Sequence, residues 1–177
     1  MSGYIMRTDK YNTGLFKSYE KLFLPYKDKR ISFLEVGVSY GDSLMWAKSY
    51  FDKAIIYGID IEIPVEVPKD CLFSQIDQND TPKILEFAEK HGPFDIIIDD
   101  ASHLPNETEN TFKNLFPYLS EDGLYIIEDW GAGLMEQYAW AKGLEQTVIN
   151  IMFKHHGEIV KNEKGGCFAI IRPKKAP

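Results

Sequence analysis

At 177 residues, 44% of them hydrophobic and 27% charged, the chain can bury a sizeable core and is too apolar to be disordered. Its net charge of −7 excludes a broad phosphate-binding surface and argues against nucleic acid as a partner. Cys71 and Cys167 match no metal-ligand spacing, the opening residues lack the apolar core of a signal peptide, and no apolar run reaches membrane-spanning length; a cytoplasmic protein with two reduced thiols and no membrane partner is expected.

In chain order, an aromatic-rich amphipathic helix is predicted over 12–27, where Leu15, Phe16, Tyr19, Leu22 and Phe23 share one face. A strand at Ser32–Val36 follows, then a helix over 42–51 that starts after Gly41. Strands at Ala54–Ile59 and Leu72–Ile76 precede a helix over 80–91, with Asp80 as its cap and Pro82 in its first turn. A strand at Phe94–Ile98, a helix over 106–119 and a strand at Leu124–Ile127 complete the alternation. The runs FDIII and LYII are continuously apolar, as in strands buried on both faces of a parallel sheet. A helix over 134–153 then leads to strands Gly157–Val160 and Cys167–Ile171, which flank a Gly165-Gly166 turn and read as a closing antiparallel hairpin. The fold expected is α/β: a doubly wound, mostly parallel, seven-stranded Rossmann-like sheet with right-handed crossovers. One domain, 1–177, is expected, with a helical extension over 1–30.

The turn after the first strand reads Glu35-Val36-Gly37-Val38-Ser39-Tyr40-Gly41. Its glycines allow a tight turn and a close backbone approach to a ligand at the topological switch point. Two glycines rather than the three of a dinucleotide fingerprint, with an acid at the strand end, suit a ligand carrying an amine or sulfonium better than a pyrophosphate. A turn of this kind also closes strand–helix units that bind nothing. Ser39 and Tyr40 lie within it. Asp60, ending the second strand before Ile61, is placed to accept both hydroxyls of a ribose. Asp77, ending the third strand before Gln78, is placed to accept from an adenine amino group, while Asp80 is read as a helix cap.

Strands four and five run into Asp99-Asp100-Ala101-Ser102-His103 and Glu128-Asp129-Trp130. Four carboxylates at neighbouring strand ends need a cation, solvent or protons. Oxygen-only donors favour a hard ion such as Mg²⁺. Helix capping is the competing reading for any one of them, with Ser102 as N-cap of the next helix. His103, on the same loop, is the candidate general base. His91, His155 and His156 are read as structural or exposed, Trp46 and Trp140 as packing residues, and Trp130 as a pocket wall.

With these residues in view, the chain resembles the metal-dependent sugar O-methyltransferases of macrolide antibiotic biosynthesis. The resemblance runs in order from Thr8-Asp9-Lys10 through LEVGVSYGDSLMWAKSYF, YGIDIE, IDQND and FDIIIDDASH to LFPYLSEDGLYIIEDW. It implies a class I methyltransferase using S-adenosylmethionine (SAM) and Mg²⁺ on a hydroxyl of a small molecule, a sugar or secondary metabolite. It places Glu35, Gly37, Gly41, Asp60 and Asp77 at the SAM site, Asp100, Glu128 and Asp129 on the metal, His103 as base, and Asp99 towards the cofactor. Ala101 stands where the family has glycine, the family's His-x-Tyr is replaced around Gly14-Leu15-Phe16, and the segment after Trp130 is short. These departures bear on the acceptor. A homo-oligomer would complete a pocket with little lid of its own. Two other classes compete: a SAM- or nucleotide-binding module without catalysis, and a small NAD-dependent oxidoreductase. The absence of GxGxxG and of a Tyr-x-x-x-Lys pair weighs against the second.

Overall fold

A computed structural model of the protein describes residues 7–174. Seven strands, β1 (Ser32–Val36), β2 (Ile55–Asp60), β3 (Leu72–Gln75), β4 (Phe94–Asp99), β5 (Leu119–Glu128), β6 (His156–Lys161) and β7 (Cys167–Arg172), form one sheet in the order β3-β2-β1-β4-β5-β7-β6. The first five pair in parallel, and β7 joins β5 and β6 antiparallel, so the predicted sheet and its closing hairpin are both present. The order reverses at β1, which places a crevice beyond the carboxyl ends of β1 and β4.

The central strands are largely apolar because both faces are covered. On β1, Leu34 and Val36 enter one core layer and Phe33 the other; on β5, Tyr125 and Ile127 oppose Leu124 and Ile126 in the same way. The first layer is covered by α3 (Thr81–His91), α4 (Pro105–Leu115) and α5 (Leu144–Lys154), through residues such as Phe87, Phe112 and Val148. The second is covered by α1 (Leu15–Leu22) and α2 (Asp42–Tyr50). There Trp46 stacks on Phe16 at 4.8 Å and on Tyr50 at 5.2 Å, a packing role as expected.

Differences from the sequence reading are local. The helix expected over 12–27 is α1 followed by a 3-10 turn at Leu24–Tyr26, and Gly14 in the left-handed region (φ 73°) starts it late. The helix expected over 134–153 is broken: Glu136–Ala141 forms 3-10 turns around a kink at Tyr138, and Gly143 (φ 97°) begins α5 afresh. β5 starts five residues before its apolar run because Leu119 pairs with Phe94. Ser102 does not cap α4. The N-cap position is Leu104, and the Ser102 hydroxyl instead accepts a bond from the Leu104 N–H. Asp80 caps α3 as read, accepting from Lys83 N–H. Cys71 and Cys167 are unpaired, and burial pushes the Cys71 thiol up to about 11. No helix among the described residues is long and apolar enough to cross a membrane.

Candidate active site

The β1–α2 turn is held from outside itself. Asp60, at the end of β2, accepts from the Val38 and Ser39 N–H groups at 2.7 and 2.9 Å with one oxygen, and from Glu62 N–H at 2.9 Å with the other. The glycines permit the tight turn and also a close approach of the protein's own backbone. A Cβ on Gly37 would lie 2.2 Å from the Asp100 carbonyl oxygen, and one on Gly41 1.7 Å from the Glu66 carbonyl oxygen. Both have positive φ, 86° and 92°. The turn therefore rests directly on the loop after β4 and on the segment after β2.

Beneath this turn lies a buried charge cluster. Lys10 is 4% exposed, and its Nζ stands 2.9 Å from Glu35 Oε1, 2.8 Å from Asp100 Oδ2 and 2.8 Å from Glu128 Oε1. Asp42, in the first turn of α2, accepts from the N–H groups of Arg7 and Thr8 and so fixes the segment that delivers Lys10. Burial alone would lower the lysine, but Asp100, Glu128 and Glu35 outweigh it and hold the ammonium well above its ordinary range. Burial, then Asp100, pushes Glu128 up to about 8 against the pull of Lys10. Burial raises Glu35 as well, opposed by Lys10. Lys10 is the residue that sequence reasoning missed. The signal was present: four carboxylates demanded a cation, and an unassigned lysine stood in the Thr8-Asp9-Lys10 motif.

Two adjoining cavities open on the carboxyl edge. One, of about 420 Å³, is lined by Gly37, Val38, Ser39, Tyr40, Asp100, Ala101, His103 and Asp129, with Arg7, Lys10 and Ser43 on its other wall. The second, of about 380 Å³, is lined by Ile59, Asp60, Ile61, Ile76, Asp77, Gln78 and Asn79, and shares Gly37, Ser39, Asp100 and Ala101 with the first. Most residues singled out in the sequence therefore meet at one cleft. In the second cavity, Asp77 accepts from Asn79 N–H at 2.8 Å. Gln78 accepts from Ser102 N–H with its side-chain oxygen, while its buried amide nitrogen has no partner among the described residues. In the first, His103 Nε2 is 3.6 Å from Asp100 Oδ1, and Trp140 stands 6.2 Å from the His103 ring. Three of the four non-glycine residues with positive φ among those described, Ser39, His103 and Asp129, line this cleft, where stored backbone strain commonly accompanies function.

Several placements differ from the reading. Glu35 lines neither cavity: it is fully buried, with Lys10 on one oxygen and the Ser43 hydroxyl donating to the other at 2.6 Å. Asp99 points into the sheet, where it accepts from the Tyr125 hydroxyl at 3.2 Å and burial pushes it up to about 7. Trp130 packs on the core and lines neither cavity, while Trp140 is 52% exposed rather than packed. Candidate ligand atoms fall into two overlapping sets, Asp100–His103–Asp129 and Glu35–Asp100–Glu128, which between them hold all three residues of the expected metal set. Glu128 is buried at the end of β5, and Asp129, which is half-buried, follows it with φ 46°. Ala101 in place of glycine costs no strain, because the left-handed residue of its loop is His103 (φ 56°).

No family model matches the chain. Over 123 residues it is 37% identical to demethylmacrocin O-methyltransferase of Streptomyces fradiae, a match covering 64% of this chain and 31% of that enzyme. It is 38% identical over 123 residues to mycinamicin VI 2''-O-methyltransferase of Micromonospora griseorubida, again covering 64% of this chain and 31% of the relative. The chain thus spans about a third of the length of these curated relatives. Among solved structures, the MycE methyltransferase of the mycinamycin biosynthetic pathway, in complex with Mg and SAH, matches with a TM-score of 0.73 at 27% identity, covering 88% of this chain and 48% of that one. The chain has the class I methyltransferase fold. The plantazolicin methyltransferase BpumL shares this methyltransferase fold at a TM-score of 0.60 and 16% identity, over 93% of this chain and 84% of that one. The resemblance to macrolide-sugar O-methyltransferases read from the motifs thus holds in both sequence and fold.

Proposed function

We propose that the protein is a SAM-dependent, Mg²⁺-assisted O-methyltransferase acting on a hydroxyl of a small glycoside. The observation that carries this is the pair of joined cavities: one lined by Asp60, Asp77 and Gln78, whose amide nitrogen has no partner among the described residues, the other by Asp100, Asp129 and His103. A buried donor without a partner, beside carboxylates spaced for ribose and amine, is the polarity a nucleoside satisfies. Asp60 and Ile61 would bracket the ribose and Asp77 and Gln78 the adenine. Gly37, Ser39 and Tyr40 would face the methionyl part.

Asp100, Glu128 and Asp129, at the ends of β4 and β5, would offer oxygen donors suited to a hard divalent ion that keeps waters or substrate oxygens as its remaining ligands. Bound there, Mg²⁺ would supply Lewis acidity at the acceptor hydroxyl. The chain's own part is orientation and proton removal. His103 Nε2 takes the hydroxyl proton as the oxygen bonds to the methyl carbon; the methyl–sulfur bond breaks and S-adenosylhomocysteine leaves. Holding both reactants in one crevice supplies much of the rate. The names and titles of the relatives, which act on macrolide sugars or hold Mg and SAH, support this reading. We further propose a cytoplasmic setting.

Incubation with SAM, Mg²⁺ and a panel of glycosides, followed by mass spectrometry, tests it. Gain of one methyl group by a hydroxyl is expected, with loss of turnover in EDTA. SAM binding without transfer to any acceptor would leave a binding module, and preference for NAD over SAM would overturn the reading altogether.

A further inference from the structure

The chain carries a net charge of −7, yet lysines gather in one groove away from the cleft. This groove, of about 680 Å³, runs between α1 and the β6–β7 hairpin. Lys17 and Lys21 line it from α1, Lys161 and Lys164 from the hairpin, and Glu163 is the acid beside them. All four lysines are exposed, and none joins an ion pair among the described residues. Lys83 and Lys113, elsewhere on the surface, pair with Asp80 and Glu109.

The gathering works against stability, because Lys17 and Lys21 are like charges four residues apart on one helix face. The hairpin turn is nonetheless tied to that helix. Asn162 Oδ1 accepts from the Lys164 and Gly166 N–H groups at 2.9 and 3.1 Å, and its Nδ2 donates to the Ser18 hydroxyl at 3.3 Å. The Lys164 stem crosses Gly14, where a Cβ would come within 3.2 Å of its Cδ. The groove also has an apolar lining, with Phe168 buried and Leu22 and Val160 half-buried.

We propose that this groove binds a small polyanion, a phosphate ester or diphosphate, whose organic part rests on Leu22, Val160 and Phe168. One multiply charged anion supplies all four ammonium groups with the counterion they lack. A small ligand feels chiefly the lysines within a Debye length, about 8 Å at physiological salt, whereas an extended polyanion meets the repulsion of the whole acidic chain. The groove lies outside the methyl-transfer cleft but close to it. Asp9 and Lys10 line the first cavity and Gly14 the groove, and Lys10 to Gly14 spans at most about 14 Å. The Cys167 carbonyl, which follows the lysine turn, accepts from Asp129 N–H at 3.3 Å. The anion thus has two sources to be told apart, a phosphorylated part of the acceptor or a separate metabolite.

Titration of the full chain with inorganic pyrophosphate, followed by amide NMR, should shift residues 14–22 and 160–168 and saturate. Combining Lys17→Ala with Lys161→Ala should weaken binding roughly 5–30-fold, the worth of two exposed charge contacts. Combining Lys83→Ala with Lys113→Ala removes the same charge elsewhere and should change affinity by less than about twofold. Equal weakening by the two pairs, no saturation, or shifts confined to the cleft would overturn the proposal. So would binding to phosphatidylglycerol vesicles with none to pyrophosphate. The source is read from methyl transfer, the one arm that rests on the functional reading. A KM for a glycosyl phosphate that rises in the groove variant, with that of a neutral glycoside unchanged, assigns the anion to the acceptor; unchanged values for both assign it to a separate ligand. Absence of transfer to either overturns the functional reading, while the pyrophosphate titration still decides the groove.

Discussion

The carboxyl edge of the sheet uses the same kind of residue in two opposite ways. In the nucleoside half, Asp60 and Asp77 accept bonds from backbone N–H groups, those of Val38, Ser39 and Glu62 for the one and of Asn79 for the other. In the acid half, Glu35, Asp99, Asp100 and Glu128 are matched by side chains: Lys10, Ser43 and Tyr125. The first arrangement orders loops and leaves a site shaped for a ligand. The second concentrates charge out of water, where each partner's removal is felt by the rest. A substitution in the nucleoside half should therefore act on donor affinity, and one in the acid half on turnover or on folding.

The largest expected effect is that of His103→Ala, which should cut methyl transfer by about 10²–10⁴-fold, the usual contribution of a positioned base. SAM affinity by isothermal titration should stay within about twofold, because the donor half is untouched. Weakened SAM binding would place His103 on the other side of the comparison, and retained turnover would remove it from the base role. Asp60→Ala should do the converse. Loss of hydrogen bonds to a charged group, each worth about 1.5–3 kcal/mol, should weaken SAM roughly 10–100-fold. Part of that loss reflects relaxation of the Val38–Ser39 turn.

Asp99→Asn sharpens the electrostatic side. Because burial raises Asp99 to about 7 in the folded protein, its favourable contribution is full below the unfolded carboxylate range and is lost as pH rises through 7. Melting followed from pH 5 to 8 should therefore show a smaller fall for Asp99→Asn than for the wild type, with the variant the more stable at pH 8. Parallel curves would show that the buried acid is not the cause. The smallest effect is expected at the rim. Trp140→Ala removes an exposed ring 6.2 Å from the His103 ring. It should raise the acceptor KM about 2–10-fold, the worth of one aromatic contact, and leave SAM affinity unchanged.

This division also explains what could be read from the chain. The parallel strands were legible in runs such as Phe94–Ile98 because burial on both faces leaves no polar alternation. Asp60, Asp77 and the Gly37–Gly41 turn were legible because they sit at strand ends, a position fixed by topology. Glu35 and Asp99 occupy equally suggestive strand ends, yet each turns away from the cavities to a partner far along the chain, Lys10 or Tyr125. No spacing rule reaches that distance. The break at Gly143 was missed for a smaller reason: the apolar period continues through it, and only its left-handed backbone separates the turns.

Gly37 has a consequence for anyone redesigning acceptor choice. Its missing side chain lets the 37–41 turn rest directly on the Asp100 carbonyl, at the start of the 100–103 loop. Altering the 100–103 loop to admit a bulkier alcohol would disturb donor seating at the same stroke. Variation confined to 134–142, whose Trp140 stands 6.2 Å from the His103 ring and none of whose residues lines either cavity, should leave the donor undisturbed.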